Sequence, residues 1–172
     1  MNRVISYVNY FRTLTELHPD INQFFMMDIN EPLTAFHSDM KFPALILNTV
    51  NGTLSASNAD NVLDNSVGGF LILGFLDDLT DFYAEMELLD RMKYIGFDVI
   101  LKMNHDAQHF ITMGNTAIHG FNLNSVTYQM IDGIWDKCFG FLFSFKLSSS
   151  LDQTYLPERW RDLTAEQDIT RK

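Results

Sequence analysis

The chain has 172 residues, 47% hydrophobic and 20% charged, enough for one domain with a real core and incompatible with wholesale disorder. Its 22 acidic and 12 basic residues give a formal net charge of -10. Such a surface repels nucleic-acid phosphates and anionic membranes, and argues against sequence-specific DNA binding.

Cys138 is the one cysteine, so no intrachain disulfide forms, which fits a reducing cytoplasm. The opening MNRVISYVNYF has neither a hydrophobic signal core nor a small-residue cleavage site, so no leader is expected. No apolar run approaches membrane-spanning length. Fifteen Phe and nine Met are many for this length, and suggest that some of these side chains face a partner.

Val4, Tyr7, Val8, Phe11 and Leu14 recur at helical spacing and predict an amphipathic helix ending before His18-Pro19. The apolar patch Phe24 to Met27 predicts a short strand or turn packed on it, and 30–41 is loop-like. Phe42-Pro43 opens a strand from Ala44 to Val50, with proline at its first position where a missing donor is tolerated. Residues 51–66, rich in Asn, Asp, Ser and Gly, have the composition of a long hairpin tip. A second strand, Val67 to Leu76, is apolar almost throughout, which implies burial on both faces or a subunit contact.

Asp77, Asp78, Thr80 and Asp81 supply caps for a helix start. From there Phe82, Met86, Leu89, Met92, Gly96, Val99 and Met103 form a stripe at steps of three and four, predicting a long helix to about Asn104. Gly96 within that stripe permits close approach to a sheet. A strand is predicted from Phe121 to Ile131, a turn region from Asp132 to Lys137 with Asp132-Gly133 as its turn residues, and then the strand FGFLFSFKL. Phe139, Phe141, Phe143, Phe145 and Leu147 share one face of that strand, for which the long helix is the expected cover. The last 25 or so residues read as an arm anchored by Tyr155, Leu156 and Trp160.

The expected class is α+β: an antiparallel sheet of two hairpins packed against an N-terminal helix and one long central helix. No residue pattern announces chemistry. His105, Asp106 and His109, with His119 beyond, have helical metal-ligand spacing but lack the glutamate of a zinc protease, and histidines also suit a helix C-terminus. Cys138 has no adjacent base and reads as core packing. Asp77 and Asp78 are explained by capping, and Gly68-Gly69 precedes a strand without the Lys-Ser/Thr of a phosphate loop. Arg159-Trp160-Arg161 either clasps a partner or folds back on its own domain.

In this order the elements resemble a tailed-bacteriophage tail-completion or tail-terminator protein, a head-tail connector ring protein of the kind found in Bacteroidales phages and prophages. The resemblance is one of layout over roughly residues 1–148. It is carried by the helix ending near His18, the segment Ile21 to Phe25, Phe42-Pro43-Ala44-Leu45, the polar hairpin 51–66, GGFLILGFLDD, LLDRMKYIGFDVILKMNHD and the closing GFLFSFKL. It implies a tail-terminator-like domain over 1–148 with a protruding hairpin loop at 51–66, and a C-terminal arm over 149–172 that members of the family need not possess.

The resemblance also implies a structural virion protein without catalytic, cofactor or metal residues. Such a protein assembles in the host cytoplasm as a ring of six or twelve subunits around the DNA channel, between adjacent connector or tail ring proteins. DNA would pass without sequence-specific binding, and no membrane is involved. The expected contact residues are Asn51, Leu54, Asn58 and Val62 in the hairpin, and Tyr155, Leu156, Arg159, Trp160 and Arg161 in the arm. The alternative is a small cytoplasmic α+β binding domain whose phenylalanine-lined interior takes an apolar ligand or a protein partner.

Overall fold

The computed structural model describes residues 4–26, 40–58, 61–109, 117–135 and 137–151, with backbone alone at 57, 58, 61 and 132–135. Helix α1 spans Val4–Leu17 and ends where Pro19 disfavours helical geometry at His18. Strand β1 (Gln23–Met26) follows, and Arg12 of α1 lies over the Phe24 ring, 5.8 Å from its centroid.

Strand β2 (Ala44–Leu47) is shorter than expected because it is interrupted, not finished. Leu47 pairs with Phe70 and Asn51 with Val67, so 48–50 stand opposite only Gly68 and Gly69. One extra residue is absorbed there, as in a bulge, and the chain resumes as β3 (Asn51–Asn58) along the same edge of β4 (Asn61–Phe75). The segment 51–66 is therefore a paired ribbon, and its loop shrinks to the reversal between Asn58 and Asn61.

Asp81 caps helix α2 (Phe82–Gln108), its Oδ1 accepting from the Ala84 amide at 3.0 Å. The helix runs one turn past Asn104 and ends with the His109 amide on the His105 carbonyl. A 3-10 turn, Leu123–Ser125, occupies part of the expected strand at 121–131, so β5 begins at Thr127. The Asn122 side chain stops extended pairing there by accepting from the Asn124 amide at 2.9 Å. Nor is Asp132-Gly133 the hairpin turn. Strand β5 (Thr127–Trp135) continues through both with a register shift, and the chain reverses between Trp135 and Cys138, helped by Lys137 at φ 65°. Strand β6 is Cys138–Ser150.

The architecture is α+β: a six-stranded mixed sheet in the order β1-β2-β4-β6-β5, with β3 also on β4. Four of the five pairings are antiparallel. The β1–β2 pairing is parallel and corrects the expectation of a wholly antiparallel sheet; the long stretch between those strands allows the crossover this direction needs. Both helices cover one face. Phe139, Phe141, Phe143, Phe145 and Leu147 are all buried there, opposite Phe70 and Ile72 of β4.

Their cover is two helices, not one. Phe145 meets Tyr7 and Phe11 of α1, while Phe143 meets Phe97 of α2 and lies where a Cβ on Gly96 would stand 2.0 Å from its Cε2. The rings stack on each other as well, Phe70 on Phe143 at 5.1 Å, so this face is filled from within. The opposite face carries a second cluster of Ile46, Leu71, Leu73, Ile131 and Cys138, flanked by Phe25, Met40, Phe42 and Leu142. Burial on both faces explains the unbroken apolar run Phe70 to Leu73.

Candidate assembly surface

Period-two alternation ends where the helices end. Along β4, β6 and β3 the helix-side positions change from Phe70, Phe143 and Phe145 to Ser66, Asp64, Ser149, Gly52 and Leu54. A strand that buries little on either face needs no apolar side, which is why the composition of 51–66, exposed at 51–56 and half-buried at 62–66, looks like a loop. Asn65 bridges the ribbon with its side chain, donating to Ser55 Oγ at 2.7 Å and accepting from Ser148 Oγ at 2.6 Å. Asn51 to Ala56 are all exposed, and among the described residues β3 pairs only with β4. The result is an edge strand of eight residues, NGTLSASN, without charge or proline.

The expected contact residues divide three ways. Asn51 and Leu54 lie exposed on β3, Leu54 at 66%. Asn58 is the last residue of β3, paired with Asn61. Val62 is half-buried on β4, paired with Ala56, and its carbonyl accepts from the Leu151 amide at 2.9 Å, fastening the end of β6 to the ribbon. Tyr155, Leu156, Arg159, Trp160 and Arg161 lie outside the described residues, as does the arm from 152 onward, while 149 and 150 belong to β6.

The residues with chemical potential are placed in structural roles. The His105 and His109 rings stack at 4.4 Å, and His109 Nδ1 donates to the His105 carbonyl at 2.8 Å, closing the helix end. Among the described residues no group of three His, Cys, Asp or Glu side chains is arranged to hold a metal ion. Cys138 is buried in the second cluster. Asp78 accepts from the Thr80 hydroxyl and amide, bonds that hold its carboxyl below the usual range.

Asp106 is the residue whose part the sequence conceals. Its side chain is only 6% exposed and is hydrogen-bonded by Lys102, by His105 at 3.2 Å and by the Tyr10 hydroxyl at 3.0 Å. Burial pushes its pKa up, but the three hydrogen bonds and the Lys102 charge outweigh this and hold it below the usual carboxylate range. Burial, then the neighbouring carboxylate, push Tyr10 up. Lys102 and Asp106 are four apart, a readable helical pair, whereas nothing in the spacing signals Tyr10.

Sequence spacing also misses the exposed apolar surface. Phe82 and Met86 belong to the α2 stripe yet are exposed, because β4 ends at Phe75 and α2 reaches the sheet only near Leu88 and Met92, opposite Gly74. Tyr128 and Met130 of β5 are each 50% exposed on the helix-side face, at the other edge of the sheet from β3.

No known protein family matches the chain, and no curated protein is similar to it at a significant level. Among the described residues no helix is long and apolar enough to cross a membrane.

Proposed function

We propose that this chain is a structural subunit that assembles with copies of itself into a ring of the head-tail connector or tail of a tailed bacteriophage, and is not an enzyme. The carrying observation is the uncharged edge strand Asn51–Asn58, exposed from Asn51 to Ala56 beyond the part of the sheet that the helices cover. A long unprotected edge presents unpaired backbone donors and acceptors, and proteins that act alone blunt such edges with charge, proline or a cover.

The charge of -10 supports the same reading. A ring of acidic subunits repels DNA from its walls and lets it pass without specific binding. The finer assignments, a tail-terminator-like arrangement and neighbouring connector proteins above and below, belong to this proposal and rest on the resemblance in layout. Size-exclusion chromatography with light scattering, followed by negative-stain imaging, tests it. Closed rings of six or twelve are expected, and a chain that stays monomeric or dimeric at high concentration, and that virion imaging fails to place in a ring, overturns it.

A further inference from the structure

We infer that neighbouring copies join through backbone pairing between the β3 edge of one subunit and the β5 edge of the next. This rests on the ring reading above and specifies its contact.

Among the described residues, β3 and β5 form opposite free edges of one sheet. Both are exposed where it matters, at 51–56 and 127–130, and neither stretch contains a charged residue or a proline. Unprotected edges at both ends are what a head-to-tail contact requires, since one surface must differ from the other.

Direction agrees. β3, β4, β6 and β5 alternate, so β3 and β5 run opposite to each other. A copy set alongside without being turned over therefore meets its neighbour in antiparallel register, with both helix layers on the same side.

The side chains agree as well. Gly52, Leu54 and Ala56 share the helix-side face with Tyr128 and Met130, as the pairings through Asp64, Ser149 and Phe143 establish. Joining the edges sets exposed Leu54 against exposed Tyr128 and Met130, and the small Gly52 and Ala56 leave room for those two larger side chains. The occupant chosen for each edge is thus a second copy of this chain.

The geometry has one further consequence. Ser55 is level with Ser150 on β6 and Gln129 with Leu142, eight positions apart, so joining the edges staggers adjacent copies by roughly 26 Å along the strands. A ring with such a stagger closes only if its strands tilt to the ring axis, as they do in barrels.

Cysteine cross-linking tests the contact, because the native Cys138 is buried and the unmodified chain is its own control. Thr53→Cys is mixed with Gln129→Cys or Thr127→Cys, all at exposed positions on the face away from the helices. On oxidation, at least one mixture is expected to give a band at twice the 19.9 kDa chain mass. The corresponding double variant is expected to give a ladder of higher multiples, and each single variant to stay at one chain. Cross-linking of Thr53→Cys with itself overturns the inference in favour of two-fold β3 pairing. Oligomers by light scattering without any cross-link overturn the inference and leave the ring reading standing. Monomers throughout overturn the inference, and they overturn the ring reading as well when virion imaging also fails to place the chain in a ring.

Discussion

The Tyr10 hydroxyl donates to Asp106 Oδ2 at 3.0 Å, joining α1 to the last turns of α2 across 96 positions of sequence. Around it, Lys102 and His105 complete the hydrogen bonding of a carboxylate that would be costly to bury alone. This contact locks the two helices that cover the phenylalanine face, so it is the polar counterpart of the ring packing beneath it.

Asp106→Asn is expected to lower stability by about 2 kcal/mol, since hydrogen bonds to a charged group are lost. The pH dependence identifies the cause. Because the folded pKa lies below the unfolded value, the carboxylate's contribution is complete above the unfolded value of about 4 and is lost as pH falls through the folded one. Urea unfolding should therefore show a smaller loss of stability as pH falls below about 4 in the variant than in the parent.

Gly96→Ala tests the close approach of α2 to the sheet. The added Cβ would stand 2.0 Å from Cε2 of Phe143, whose ring is fully buried against Phe70 and has nowhere to move. Overpacking of this kind costs up to about 3 kcal/mol, against a gain of about 1 from better helix propensity, so a net loss near 2 kcal/mol is expected in chemical denaturation.

Gly68 and Tyr7 should behave as a coupled pair. Among the described residues the buried Tyr7 hydroxyl has no hydrogen-bond partner of good geometry, burial pushes its pKa up against an opposing effect of the Gly69 backbone, and a Cβ on Gly68 would lie 2.4 Å from it. Tyr7→Phe removes an unsatisfied group and is expected to be neutral or stabilising by up to about 1 kcal/mol. Gly68→Ala should be clearly destabilising alone and less so with Tyr7→Phe, a difference that a double-mutant cycle reads directly. Some cost remains in the double variant, because Phe145 Cε2 also lies 3.0 Å from that Cβ.

Leu54→Lys separates assembly from folding. The side chain is 66% exposed, so stability should change by no more than about 0.5 kcal/mol. Placing a charge on the β3 edge should nevertheless reduce oligomer formation in light scattering. Unchanged assembly would exclude this edge as the contact.

Local signals in the sequence settled the elements that bury one face. The α1 spacing with Pro19 behind it, the Asp81 cap, the α2 stripe and the alternating phenylalanines of β6 each report the environment they enter, because a buried face imposes its period on the chain. For Phe70 to Leu73 the same reasoning left burial on both faces and a subunit contact as alternatives, and both faces are buried within the chain. It failed at 51–66, where strands that bury little on either face impose no period, and at Asp132-Gly133, where a register shift looks like a turn. In the candidate surface, Asn51 and Leu54 were legible from composition, whereas the matching exposure of Tyr128 and Met130 was not.

What the sequence determined by itself is therefore the class of fold, its two helices and its phenylalanine face, since these follow from periodicities within single segments. Only the tertiary structure decided the parallel β1–β2 pairing, the merging of β2 and β3 along one edge of β4, the division of the cover between α1 and α2, and the burial of Asp106 against Tyr10. Each of these depends on which distant segments become neighbours. That choice is made by packing the whole sheet against both helices, and no local spacing encodes it.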